Sequence, residues 1–392
     1  MDAGVAGFRF GGLACGIKKS GAADLAVIVA DRPVACAGVF TKNLVVAAPV
    51  VRDRALLAAG GLVRAIVVNS GNANACTGEQ GARDADRMGA LAAAALGCAP
   101  GEVMVASTGV IGAPLPMEKL EAGIPRALDA ATADGLAAFS RAIMTTDTRP
   151  KVRTGVIEAG GRRFQVAGAA KGAGMIHPNM ATMLGFLVTD APVAPADLDA
   201  LWRRVCQDSF NAITIDGDTS TNDTALLLAG GGGEPLAGEA LAAFEAGLLP
   251  IARELARDIV RDAEGGTKTV SVTVAGATDF AAAQRVAEAI ALSPLVKTAL
   301  HGEDPNWGRI IAAAGRSGVA VEPAKLRLTI GDVLLYAGGE WCGKEAEVAA
   351  RAVMQTPEYP IRLDLQQGAV AHTVHTCDFG ADYVRINADY RS

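Results

Sequence analysis

Aromatic residues make up only 4% of this 392-residue sequence, so its core must be assembled from Ala, Val and Leu packed close to some of its 46 glycines. Those glycines follow no G-X-Y period, which excludes a collagen-like chain. Uninterrupted apolar runs of about 18 residues are also missing, because charges or Gly/Pro breaks intrude everywhere, including around the Ala-rich run Met88 to Leu96. No membrane span is expected. The first residues, MDAGVAGFRFGGLACG, lack the basic start and continuous apolar segment of a secretion signal, so a cytoplasmic location is expected. Nor is there an excess of positive charge: 36 basic residues face 42 acidic ones, a net charge of −6 that argues against a nucleic-acid partner.

Histidine is scarce, with four in the chain, and the seven cysteines are an odd number without a CxxC pair or a repeated spacing. Disulfide frameworks and structural zinc sites do not look like this. The nearest thing to a ligand cluster is His372, His375 and Cys377 in AHTVHTC. As a strand, that stretch puts His375 and Cys377 on one face and His372 on the other, and no metal site is expected there. Asp216 and Asp218 in IDGDTSTND lack the remaining spacing of a calcium loop and read as a turn.

What is present is a globular composition, 51% hydrophobic and 20% charged, long enough for two or three packing units. Helix-forming and strand-like pieces alternate without a repeat, which predicts an α/β or α+β fold. Helices are predicted over Glu79 to Leu96, over Gly238 to Asp262 with a break at Pro250, and over Glu345 to Met354. Half-buried strands are predicted around Val270 to Val274, Leu326 to Ile330 and Ile361 to Leu365, and buried ones at Ala65 to Val68 and Val103 to Ala106. The last two feed polar turns, Asn69 to Asn74 and Ser107 to Gly112, where binding groups often sit. Gly230 to Gly233 reads as a surface loop or flexible connection.

Most of the chemical information lies in KGAGMIHPNMATMLG, from Lys171 to Gly185. A phosphate loop needs Gly-Lys followed by Ser or Thr after its glycines, and here the order is reversed. No Gly-x-Ser-x-Gly elbow stands out with a supporting hydrolase pattern. The segment instead resembles the signature of the ornithine acetyltransferase family, the glutamate N-acetyltransferases of arginine biosynthesis. Further blocks carry the same resemblance along the whole chain: STGVIG from Ser107, TTDT from Thr145, DGDTSTND from Asp216, GEDPNWGR from Gly302 and the terminal INADYRS.

That resemblance implies self-cleavage between Ala181 and Thr182, leaving residues 1–181 and 182–392 as two interlocked chains. It implies a layered α-β-β-α sandwich with a smaller α/β domain, and assembly into α2β2 or larger complexes. The implied reaction moves acetyl from N2-acetylornithine to glutamate, giving ornithine and N-acetylglutamate, without a cofactor; acetyl-CoA would be a second donor in bifunctional members. Thr182 would be the nucleophile, Thr108 and Gly109 the oxyanion donors, and Thr145 (rather than Thr146), Lys171, Thr182, Glu264, Asn387 and Ser392 the substrate contacts. No metal is implied. The chemistry suits a threonine, because an N-terminal Thr can use its own α-amine, with a pKa near about 8, as the base for its hydroxyl. With that base supplied, His177 is expected to be structural or solvent-facing. The rival readings are an N-terminal nucleophile aminopeptidase or amidase, which would pass the acyl group to water, and a binding protein that keeps the Ala181-Thr182 bond intact.

Overall fold

The computed structural model describes residues 4–177 and 183–389. They divide into two compact units, the first made of residues 4–177, 183–211 and 218–259, the second of residues 212–217 and 260–389.

In chain order the first unit contains β1 (Phe8–Leu13), β2 (Leu25–Phe40), α1 (Ala48–Ala58), β3 (Val63–Asn72), α2 (Gly78–Leu96), β4 (Val103–Val110), α3 (Met117–Asp129) and α4 (Leu136–Ala142). It continues with β5 (Lys151–Ala159), β6 (Arg162–Lys171), β7 (Leu184–Thr189), α5 (Pro195–Gln207) and β8 (Thr224–Ala229), and α6 (Gly238–Arg261) follows. The strands run in the order β4-β3-β2-β8-β7-β6-β5, with β1 also on β2.

The 16-residue β2 makes this sheet two layers. Its first half, Leu25 to Val29, pairs with β3, whereas Ala35 to Phe40 pair with β8, and the register slips between Val29 and Val34. Alternation then sorts the side chains. Leu25, Val27, Val29, Val67 and Val105 pack against Met88 of α2 and Ile124 of α3. Ala26, Ile28, Ile66 and Met104 pack in one core with Ala169, Phe186, Val188 and Leu228 from the β5–β8 half. The outer face of that half is covered by helices: Trp202 of α5 donates to the Ala225 carbonyl at 3.0 Å, and Phe244 of α6 meets Phe164 edge-on. The result is an α-β-β-α sandwich. Small residues dominate it, as the scarcity of aromatics requires, and one exception is Phe139 of α4, buried between Phe10 and Phe186.

The second unit is a smaller α/β body. It contains β9 (Thr269–Ala277), α7 (Phe280–Ala291), α8 (Pro294–His301), α9 (Trp307–Gly315), β10 (Arg327–Ile330), β11 (Val333–Ala337), β12 (Glu340–Trp341), α10 (Lys344–Met354), β13 (Glu358–Asp364), β14 (Val370–Cys377) and α11 (Ala381–Asp389). Its strands run β12-β11-β10-β13-β9-β14. The DPNW segment begins α9, with the Asn306 side chain accepting from the Arg309 N–H as a cap.

Two expectations need correction. α6 does not break at Pro250 but runs through it. The missing N–H costs about 3 kcal/mol, which the burial of Phe244, Leu248, Ala252, Leu255 and Ile259 on one face outweighs. The polar segments after β3 and β4 are not turns throughout. Asn69 to Asn72 and Ser107 to Val110 are still strand, so these polar groups are carried into the interior. Gly230 to Gly233 is a connection, as expected, but Arg32 anchors it through the carbonyls of Gly230 and Gly231.

Candidate active site

The parallel pair β3 and β4 ends in polar residues that have nowhere to go but inward. Asn69, Ser70, Asn72, Ser107 and Thr108 are all buried, and they satisfy one another and the backbone. Ser107 Oγ donates to Asn69 Oδ1 at 2.6 Å, and Asn69 Nδ2 donates to the Asn72 carbonyl at 2.8 Å. Gly71 and Gly109 lie side by side where the register slips. Gly109 has φ +131°, and a Cβ there would stand 2.4 Å from the Gly71 carbonyl carbon, so only glycine fits. The Thr108-Gly109 step at the end of β4 is thus a rigid backbone feature.

β6 brings Lys171 to the same place. It pairs with Leu184 at the start of β7, is 2% exposed, and its Nζ donates to Thr108 Oγ1 at 3.0 Å. Asp147 organises the neighbouring TTDT loop. Its Oδ2 accepts from the Thr145 N–H at 2.9 Å, and its Oδ1 accepts from Gly172 N–H at 2.7 Å and Lys151 Nζ at 2.6 Å. Burial alone would raise the Asp147 pKa, but the charges of Lys151 and Lys171 and the Gly172 N–H hold it below the usual carboxylate range. Lys18 adds a third cation, its Nζ donating to the carbonyls of Ala23 and Met144 at 2.7 Å. Burial pushes its pKa down, opposed by Asp24 and Asp147.

The segment before β8 closes the group. Asn222 Nδ2 donates to the carbonyls of Ala73 at 2.6 Å and Ser107 at 2.9 Å. Asp223 Oδ1 accepts from the Met183 N–H at 3.0 Å. Burial pushes the Asp223 carboxyl well above the ordinary carboxylate range, against the pull of the Met183 N–H, Thr41 and Lys171. Ala181 and Thr182, the expected cleavage pair, and Ser392 lie outside the described residues. His177 is half-buried, with a pKa lowered by burial against the pull of Asp218.

In the second unit the structure brings Glu264 and Asn387 together, with Asn387 Nδ2 donating to Glu264 Oε2 at 2.9 Å. α11, which carries Asn387, is tied down by Tyr383, which stacks on Phe379 and donates from its hydroxyl to Asp216 Oδ2 at 3.2 Å. His372, His375 and Cys377 lie on β14 as expected; His375 Nδ1 is 2.9 Å from Ser271 Oγ, and Cys377 Sγ is 3.6 Å from Lys297 Nζ. No group of three or more His, Cys, Asp or Glu among the described residues is placed to hold a metal ion. No helix among them is long and apolar enough to cross a membrane.

Sequence reasoning reached Thr108, Gly109, Thr145 and Lys171 but missed Lys18, Asp147, Asn222 and Asp223. The last three sat inside the TTDT and DGDTSTND blocks already singled out, where the block itself was the available signal.

Comparison with known proteins agrees with this picture. Residues 9–392 match the sequence model of the ArgJ family. The arginine biosynthesis bifunctional protein ArgJ of Geobacter sulfurreducens is 51% identical over 395 residues, covering 99% of this chain and 100% of the relative. Its namesake from Thermus thermophilus is 50% identical over 386 residues, covering 98% of each. Among solved structures, a chain of the Bacillus halodurans bifunctional protein ArgJ is 38% identical with a TM-score of 0.51; the match covers 53% of this chain and 100% of that one.

Proposed function

The chain belongs to the ArgJ family, and from that membership we propose that it transfers acetyl from N2-acetylornithine to glutamate in arginine biosynthesis. The observation that carries this reading is the buried contact between Lys171 and Thr108, which sets a cation beside the rigid Thr108-Gly109 end of β4. The cycle has two halves. Thr182 Oγ attacks the acetyl carbonyl while the Thr182 α-amine takes its proton; ornithine then leaves with a proton on its amine, and an acetyl ester remains on Thr182. Glutamate's amino group attacks the ester, and N-acetylglutamate departs as Thr182 Oγ recovers its proton.

Thr108 and Gly109 stabilise the oxyanion in both halves, a task in which one donor is typically worth about 3–4 kcal/mol. Lys171 meets a substrate carboxylate and Glu264 an ammonium, with Thr145, Asn387 and Ser392 as further contacts. No cofactor is required by these steps. Acetyl-CoA is proposed as a second acetyl donor, in keeping with the word bifunctional in the relatives' names.

The α-amine exists only once the Ala181-Thr182 bond is cut, so self-cleavage into residues 1–181 and 182–392 belongs to the proposal, as does assembly of the two chains into α2β2 or larger complexes. The test is intact mass under denaturing conditions joined to an ornithine-release assay. Two fragments split at Ala181-Thr182, an uncut and inactive Thr182→Ala variant, and ornithine release that depends on glutamate are expected. Release without glutamate would make water the acceptor and the protein an amidase, and an uncut wild-type chain that binds the substrate without turnover would make it a binding protein.

A further inference from the structure

Asp378, just past the end of β14, is where three segments of the second unit meet. The residue is 1% exposed, and its Oδ1 accepts from the N–H groups of Thr267 and Lys268 at 2.7 and 2.8 Å. Its Oδ2 accepts from Thr267 Oγ1 at 2.8 Å and lies 2.7 Å from His301 Nδ1. Burial pushes the Asp378 pKa up, but His301 and the Lys268 and Thr267 donors outweigh it, and the net shift is down. The carboxylate is therefore ionised and can only accept, so Nδ1 is a ring nitrogen that carries a hydrogen.

These bonds lead on both sides to residues placed in substrate recognition. Glu264 precedes Thr267 in a tight turn, closed by the Gly266 N–H donating to the Ala263 carbonyl at 2.9 Å. The turn lies against the start of α11, since a Cβ on Gly265 would stand 2.4 Å from Tyr383 N. In the other direction Asp378 runs through Phe379 and Gly380 into α11, whose Asn387 donates to Glu264 Oε2 at 2.9 Å. Gly380 is seated on His301, where a Cβ would come within 2.5 Å of Cε1. The GEDPNWGR block adds a second hold on the same turn, because Lys268 Nζ donates to Glu303 Oε1 at 2.8 Å. One buried carboxylate thus ties the backbone that carries Glu264 to the helix that carries Asn387. The segments it joins are themselves exposed or half-buried at Thr267, Lys268 and His301. For stability alone an apolar side chain of similar size would often serve as well as a buried charge, so the network points to placement.

We propose that Asp378, oriented by His301, is the positioning residue of an ammonium subsite: it sets Glu264 against Asn387 and so selects an acetyl donor that carries a side-chain ammonium. The proposal rests on the reading of Glu264 as the ammonium contact. N2-acetylornithine carries such a group, whereas the glutamate side chain ends in a carboxylate. A displaced Glu264 therefore weakens binding of the first substrate and not of the second.

His301→Ala removes one donor from an exposed side chain, His301→Asn puts an amide donor back near the position of Nδ1, and Asp378→Asn neutralises the hub. In His301→Ala and Asp378→Asn, KM for N2-acetylornithine should rise about five- to tenfold, with kcat and KM for glutamate within about threefold of the wild type. His301→Asn should bring KM back to within about twofold of the wild type, and in a Glu264→Gln background His301→Ala should add less than about twofold, because it acts through Glu264. Wild-type KM in both variants, beside a raised KM in Glu264→Gln, would overturn the proposal and keep the reading beneath it. An equal rise of KM for both substrates would also overturn it, by giving Asp378 a structural role only. Unchanged KM in Glu264→Gln would instead remove the reading of Glu264, and the proposal with it. Should Asp378→Asn not fold, the two His301 variants decide the matter.

Discussion

Lys171 and Thr108 stand 63 positions apart in sequence, and their side chains meet at 3.0 Å in the interior. One comes from the end of β6 and the other from the end of β4, so the contact joins the two layers of the sandwich at the strand ends where the proposed chemistry takes place.

Lys171→Met keeps the length of the side chain and removes its charge. Lys171 is one of the charges that hold the buried Asp147 carboxyl down, and removing one partner from a buried charge group is destabilising, so the melting temperature should fall. KM for N2-acetylornithine should increase at least about tenfold, equivalent to about 1.4 kcal/mol of binding. An unchanged KM would remove Lys171 from substrate recognition.

Gly109→Ala should be among the most damaging single substitutions in the first unit. The φ of +131° costs a side-chain-bearing residue about 1–3 kcal/mol, and the new Cβ would collide with Gly71 backbone at 2.4 Å. Soluble yield, urea midpoint and transfer rate should all drop. A variant that melts like the wild type and keeps full activity would show that this backbone is not the rigid feature described.

Acid titration should expose Asp147. Its carboxyl is depressed in the folded protein relative to about 3.9 in the unfolded chain, so it contributes stability that is fully present above that value and lost as pH falls through the folded value. The urea midpoint measured downward from about pH 5 should therefore decline, and Asp147→Asn should flatten that decline while lowering the midpoint at neutral pH. Parallel acid limbs in the two proteins would deny Asp147 its role.

Glu264→Gln and Asn387→Ala should separate binding from folding. Their mutual hydrogen bond lies at the surface of the second unit and is worth about 0.5–1.5 kcal/mol at most, so melting should shift little. If Glu264 holds the substrate ammonium, KM should rise by about tenfold or more in Glu264→Gln. Equal kinetics with the wild type would leave the pair as a clasp for α11 alone.

Much of the local structure was legible without coordinates. The run of helix formers from Glu79 to Leu96 marked α2, which spans Gly78 to Leu96, and the alternation of Val270, Val272 and Val274 marked β9, because propensity and period are both written locally in the chain. Pro250 misled for a physical reason: local propensity counts the lost hydrogen bond, but not the row of buried side chains that keeps α6 continuous.

The family resemblance carried by the motif blocks implied roles for Thr108, Gly109, Thr145, Lys171, Glu264 and Asn387, and those residue types suit the oxyanion, carboxylate and ammonium contacts proposed for them. What the sequence determined by itself was therefore composition, period and chemistry, all of which are local properties. Tertiary structure alone decided that β2 would bend and serve two layers, that Asp147 would become the anchor of its loop, and that Asp223 would be buried on the Met183 N–H with its carboxyl pKa pushed up. A charge written in a polar stretch looks solvated until the chain folds around it, and its ionisation and its partners are set by burial, which arises from residues far away in sequence.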